Sequence, residues 1–255
     1  VVALIVAYRA LGPVLPTLSL LFLVYTLIGR YLPGAFATAK VTMTRMGTYL
    51  MVSSEGLFGS ALSTAANFIF LFVIFGSVLA FIGAGEFFVD ISFAAFGKFC
   101  GGPAQAAVYS SMLMGMVNGS GAANVVTTGT FTIPLMKKTG YSKEFAGSVE
   151  ATASVGGQLL PPVLGAAAFV MAETLGVKYG VIIRAAVIPA LLYYGGILVQ
   201  VQMRATKEHL NGLPKEQMPK PGKVMRERGH LLIPIAFLLY MLIWSGKTVI
   251  FSAFW

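Results

Sequence analysis

Asn118-Gly119-Ser120-Gly121-Ala122-Ala123-Asn124 interrupts one strongly apolar stretch, and Gly156-Gly157-Gln158-Leu159-Leu160-Pro161-Pro162 interrupts another some thirty residues later. These residue types suit the binding of an ion or a small polar solute. Asn118, Ser120 and Asn124 supply side-chain oxygens, as ligands or as helix N-caps. Gly119 and Gly121 permit a tight turn, Gly156 and Gly157 expose backbone, and Gln158 offers an amide. Pro161 and Pro162 remove two backbone donors, so no regular helix continues through them. Each piece alone has a plainer reading: Gly119, Gly121, Ala122 and Ala123 as small residues for close helix packing, the prolines as a kink. Together they point to a ligand site, because hydrocarbon tolerates non-helical backbone only where protein buries it or where it lines a polar cavity.

That the surroundings are hydrocarbon follows from composition. A chain that is 57% hydrophobic and 11% charged, with mean hydropathy +0.82, has too little polar surface to cover a soluble globule. The runs from Leu11 to Ile28, Leu62 to Ile82, Val181 to Val201 and Leu231 to Ile243 are each close to the ~20 residues that span a bilayer. The chain starts at Val1 inside one apolar segment and stops at Trp255 inside another, which reads as part of a longer polypeptide. Its first residues lack the short apolar core and cleavage site of a signal peptide, so the spans themselves direct insertion.

The formal charge of +9 is distributed as membrane topology requires rather than as a nucleic-acid groove would be. Seven of the 18 Lys and Arg fall between Arg204 and Arg228, Lys137, Lys138 and Lys143 cluster in another loop, and no aromatic residues interleave with the basic linker. The positive-inside rule places these loops in the cytoplasm and excludes nucleic acid as the partner. With Arg9 cytoplasmic, a first span exits, residues 30–59 stay outside with an interfacial helix at 43–52, and a second span returns. The aromatic-rich stretch from Gly83 to Phe99, with Glu86, Asp90 and Lys98, suits a helix lying at the cytoplasmic interface.

The flanks of the first break are each only about fifteen residues long, a rise of ~22 Å against ~30 Å of hydrocarbon. Lys98 before them and Lys137 and Lys138 after them put both bases on one side. The economical solution is a re-entrant helical hairpin with its tip at 118–124. The second break splits a helix that runs from Lys143 to Leu175. Glu150 sits about two turns inside that helix, a functional candidate by default, with placement at the interface or pairing with Lys143 as the alternative. Glu173 reads as solvated, Asn67 as glue between helices, and the single Cys100 as a small buried residue with no disulfide or metal partner.

Enzymatic readings lack their residues. His209 and His230 lie in or beside the basic linker, far from any nucleophile in the apolar zone, and no nucleotide-binding motif suggests an ATP-driven permease. The expectations are therefore an all-α integral membrane transporter fragment, no enzymatic activity and no cofactor, with a structural subunit of a membrane complex that has no ligand site of its own as the alternative. Residues 1–60 form a span with an outer segment, 61–100 a span and an interfacial helix, and 101–175 the unit with the hairpin at 103–137 and the broken helix at 143–175. Residues 176–203 form a span, 204–230 a cytoplasmic linker and 231–255 the start of another span.

Three stretches carry a family resemblance: Gly115-Met116-Val117-Asn118-Gly119-Ser120-Gly121-Ala122-Ala123-Asn124-Val125-Val126-Thr127-Thr128-Gly129, Phe145-Ala146-Gly147-Ser148-Val149-Glu150-Ala151-Thr152-Ala153-Ser154, and Gly156-Gly157-Gln158-Leu159-Leu160-Pro161-Pro162-Val163-Leu164-Gly165-Ala166-Ala167-Ala168-Phe169. They resemble the large membrane subunit of TRAP transporters, in the fused form that joins small and large membrane subunits. The resemblance implies a sodium-coupled importer of organic anions in a bacterial or archaeal cytoplasmic membrane. It also implies an elevator mechanism, with residues 1–60 as scaffold and 101–175 as half of a transport domain, an extracytoplasmic solute-binding protein of the TAXI type as partner, and a second, inverted half in the remainder of the same permease chain. By the same resemblance, Asn118, Gly119, Ser120, Gly121, Asn124, Gly156, Gly157, Gln158, Pro161 and Pro162 form a sodium and substrate site, with Na⁺ held by Ser120, Asn124 and the backbone of Gly119 and Gly156. The Ser-Gly-Ser common at the family's hairpin tip is Asn118-Gly119-Ser120 here, one hydroxyl replaced by an amide.

Overall fold

A computed structural model of the chain describes residues 2–214, 218–243 and 249–254. Among the described residues it is all-helical. It divides into two compact units, Val1–Leu62 and Ser63–Trp255.

In the first unit, α1 (Val2–Leu11) stops at Gly12 and Pro13, and α2 (Val14–Ile28) continues through a 3-10 turn, so that Val14–Tyr31 is apolar and long enough to cross a membrane. The segment expected at the outer interface is helical: α3 (Met43–Val52) starts at Thr42, whose hydroxyl accepts a hydrogen bond from the Arg45 N–H at 3.3 Å.

The second unit opens on a continuous apolar helix, Leu62–Phe81, assembled from the end of α4 (Ser60–Thr64), a π-helical turn at Ala65–Ile69, and α5 (Phe70–Phe81). Asn67 lies in that turn and donates to Ser63 of its own helix at 3.2 Å, so it is not the interhelical glue its isolation suggested. Glu173 is exposed as expected, and the buried Thr64 hydroxyl donates to its carboxylate.

Gly83 turns the chain into α6 (Ala84–Phe96). Its aromatic face does not meet lipid: Phe87, Phe88 and Phe93 are buried against α7 (Gly102–Asn118) and the elements around it. The stretch expected to lie at an interface is helical, but its apolar stripe faces protein, packing on the hairpin and the elements around it. After α7 come α8 (Gly121–Lys138), α9 (Lys143–Gly156), a 3-10 turn at Gly157–Leu159 and α10 (Ala166–Leu175). The long α11 (Tyr179–Lys207) is the third helix of membrane-crossing length.

The expected linker is not a free loop. Gly101 N–H donates to Leu210 O at 3.3 Å and Leu213 N–H to Gly97 O at 2.8 Å, tying it to the hairpin base. Helix α12 (Pro221–Arg228) buries Val224, and Arg228 reaches Glu86 at 2.8 Å. Helices α13 (Leu232–Ile243) and α14 (Val249–Phe254) follow. The final crossing expected beyond His230 falls partly on residues 244–248 and Trp255, which lie outside the described ones.

The core beneath the site is built from small side chains. Ala104, Ala107, Ala146, Ala153 and Ala205 bring α7, α9 and α11 close together around Tyr194 and Val201. A second cluster stacks Phe169 of α10 against Phe68, Phe72 and Tyr179, with ring centroids 5.7, 5.3 and 4.4 Å apart, which fixes the far half of the broken helix.

Candidate functional site

The first polar break is a two-residue hairpin turn between 17- and 18-residue arms. Each arm is slightly longer than the sequence suggested, because α7 starts at Gly102-Pro103 and α8 runs through both lysines; a rise of ~26 Å still falls short of the ~30 Å hydrocarbon. Gly119 turns the chain with φ +60°, and a methyl there would collide with Leu164 O. Ser120 N-caps α8, its Oγ accepting from the Ala123 N–H at 3.4 Å, while its own N–H donates to Asn118 Oδ1 at 3.2 Å.

The second break extends further than the sequence indicated. Regular α-helix lapses from Gly157 to Gly165, apart from the 3-10 turn at Gly157–Leu159, with a cis peptide between Pro161 and Pro162 and a positive φ of 55° at Leu164. Three tyrosine hydroxyls satisfy backbone carbonyls at or just before this lapse. Tyr194 donates to Ala153 O at 2.8 Å, Tyr193 to Thr152 O at 2.9 Å, and Tyr179 to Val163 O and Pro162 O. Gly156 and Gly157 are buried rather than open: Gly156 lies under Tyr193 and Tyr194, and Gly157 lies against α7.

The two breaks meet. A methyl on Gly115 would stand 2.5 Å from Gly157 Cα, and one on Gly157 would stand 2.6 Å from Gly115 Cα, so the two backbones touch as only glycine allows. Val163 N–H donates to Met116 O at 3.4 Å, and a methyl on Gly121 would stand 3.1 Å from Val155 Cα and 3.2 Å from Gln158 Nε2. Gln158, exposed, thus stands between the tip and Gly165, and Pro162 is buried while Pro161 is half-buried. Four helix ends converge here: the C-termini of α7 and α9, with carbonyl oxygens, and the N-termini of α8 and α10, with amide hydrogens.

Two side-chain atoms at this junction are buried and have no hydrogen-bond partner among the described residues: Asn124 Oδ1 and Asn118 Nδ2. The Asn124 amide is oriented by its Nδ2, which donates to Ser111 O at 2.7 Å and leaves the oxygen unused. Asn124 itself is fully buried, so this unpartnered acceptor lies inside the protein rather than at its surface.

Sequence reasoning singled out Glu150 but missed the hydroxyls that gather on it behind Asn124. Glu150 is buried and does not pair with Lys143, whose Nζ is 3.9 Å from Glu144. Its Oε1 accepts from Ser111 at 2.6 Å, Thr128 at 2.5 Å and Ser154 at 3.1 Å, and its Oε2 accepts from Thr132 at 2.6 Å. The spacings of four between Thr128 and Thr132 and between Glu150 and Ser154 mark two polar helix faces. Cys100, expected to be buried, is exposed near the hairpin base. Close by, burial pushes the Tyr141 phenol up to about 12, with Cys100 and Glu208 adding to the rise, so this enclosed hydroxyl keeps its proton at neutral pH.

Residues 1–253 match the family model described as "Tripartite ATP-independent periplasmic transporter, DctM component". The chain is 28% identical over 168 residues to the C4-dicarboxylate TRAP transporter large permease protein DctM of Vibrio cholerae, covering 66% of this chain and 37% of that protein. It is 28% identical over 144 residues to the protein of the same name from Pseudomonas aeruginosa, covering 56% and 33%. It is 31% identical over 121 residues to the isethionate TRAP transporter permease protein DctMQ of Oleidesulfovibrio alaskensis, covering 46% and 17%. The matched region is well under half the length of each of these relatives.

Proposed function

The chain belongs to the DctM family of tripartite ATP-independent periplasmic transporters, a family of multi-pass inner-membrane permeases and not of enzymes, and from this we propose that it forms the first half of a sodium-coupled site for organic anions. The convergence of four helix ends around the idle Asn124 oxygen carries this reading. Carbonyl-rich C-termini suit a small hard cation, and N-termini suit a carboxylate or a similar anionic group. No arginine is among the residues at the junction, so helix dipoles and the rest of the longer chain supply the attraction for the anion.

In this reading Na⁺ binds to Asn124 Oδ1, Ser120 and the backbone of Gly119 and Gly156, and Asn118, Gly121, Gly157, Gln158, Pro161 and Pro162 shape the wall towards the solute. The hairpin is re-entrant from the cytoplasmic side and moves with the broken helix as an elevator. The substrate arrives on an extracytoplasmic binding protein of the TAXI type, a small membrane component fused to the same chain assists, and an inverted second half closes the site. C4-dicarboxylate and isethionate, named for the relatives, are small organic anions and define the class to screen.

Uptake of labelled dicarboxylates and sulfonates by proteoliposomes holding the full-length permease, with its binding protein added outside, tests the reading. An inward Na⁺ gradient drives accumulation without ATP, and replacing Na⁺ by choline abolishes it. Equal accumulation in choline would remove sodium coupling from the account.

A further inference from the structure

An ionisable side chain buried among helices must be compensated, since an unpaired carboxylate in low dielectric is very costly. Among the described residues Glu150 is compensated by hydroxyls alone, drawn from three helices: Ser111 of α7, Thr128 and Thr132 of α8, and Ser154 of its own α9. Hydrogen bonds to a carboxylate are short and strong, and all four here lie between 2.5 and 3.1 Å. The carboxylate therefore clamps both arms of the hairpin to the first half of the broken helix.

Two members of the clamp also hold Asn124. Ser111 O accepts the Asn124 Nδ2 hydrogen at 2.7 Å, and Thr128 Oγ1 lies 2.9 Å from Asn124 O, one turn back on α8. Ser111 is in turn one helical turn from Gly115, where α7 touches Gly157. The hydrogen bond that orients the Asn124 amide thus runs to a residue whose side chain Glu150 also holds, and Asn124 Oδ1 is left without a hydrogen-bond partner among the described residues.

We propose that Glu150 is a positioning residue for the cation site: through Ser111 and Thr128 it aims Asn124 Oδ1 and keeps the hairpin tip seated on the break, without contacting the ion itself. This rests on the reading of that junction as a sodium site. Residues that orient metal ligands from behind change metal affinity by roughly 10–100-fold when removed, which sets the size of the expected effect.

The test is the thermal unfolding midpoint of the purified full-length permease against Na⁺ concentration, with choline keeping ionic strength constant; stabilisation by a bound ion saturates with its affinity. Glu150→Ala raises the half-saturating Na⁺ concentration about tenfold or more. Glu150→Gln, of the same shape and still able to accept at one atom, raises it less, and Ser111→Ala and Thr132→Val shift it in the same direction. If Glu150→Ala cannot be recovered, the three milder variants give the same reading. A merely structural Glu150 would lower the midpoint in choline and leave the half-saturating Na⁺ concentration unchanged, which overturns the proposal while a Na⁺-responsive parent leaves the sodium reading intact. A parent protein with no Na⁺-specific stabilisation overturns both.

Discussion

At the contact of Gly115 with Gly157, one methyl group decides whether the hairpin can reach the broken helix. Gly157→Ala places a carbon 2.6 Å from the Gly115 backbone, which cannot swing aside as a side chain would. Overpacking of this kind costs about 1–3 kcal/mol, so thermal unfolding of the purified protein shifts down. Gly147→Ala on the same α9, with nothing within 4 Å of the new carbon, stabilises by about 0.5–1 kcal/mol and serves as the control. Equal behaviour of the two variants would refute the close contact. The sequence made Gly119, Ser120 and Asn124 legible through residue type and spacing, but not the contact, because Gly115 lies inside an otherwise regular helix. Glu150 was legible as a functional candidate, but its setting was not. Its four hydroxyl partners come from three helices, and the register between helices is not written in the periodicity of any one of them.

Among elements, the broken helix has the most to satisfy. Where Gly157 N–H turns to Ser154 O and Val155 O, Ala153 O loses its usual helical donor, and the Tyr194 hydroxyl replaces it at 2.8 Å. Tyr194→Phe removes only that oxygen and strands a buried carbonyl, at a cost of about 1–3 kcal/mol, read as a lower unfolding midpoint. An unchanged midpoint would show that α11 does not support the break. The Pro161-Pro162 pair announced the interruption, yet its supports lie on α11, tens of residues away, where Tyr193 and Tyr194 look like ordinary lipid-facing aromatics. Helix α6 illustrates the opposite error. Its amphipathic pattern was correct, and the partner of its apolar face was the hairpin rather than lipid, a choice that composition does not encode. The basic linker likewise becomes an anchor: Arg228 sits 2.8 Å from Glu86 and 3.9 Å from Asp90, joining α12 to α6.

For the whole molecule, the account reduces to one junction where two interrupted helical elements meet and leave Asn124 Oδ1 idle. Membrane class and the three helices of crossing length were readable from hydropathy alone, because ~20 apolar residues have few other uses, whereas the run from Leu231 to Ile243 gives a helix of only 12 residues. The meeting itself rested on two breaks being polar, close in sequence and flanked by short arms. The measurement that bears on it most directly is alkylation of single cysteines in the full-length permease, introduced as Ser120→Cys or Gln158→Cys after the exposed Cys100 is changed to serine. Ser120 lies on the tip and Gln158 in the break, and both are exposed without ligand. If they flank one sodium site, Na⁺ slows labelling at both positions over the same concentration range, and choline does not. Labelling that proceeds at the same rate with and without Na⁺ at both positions would contradict the site.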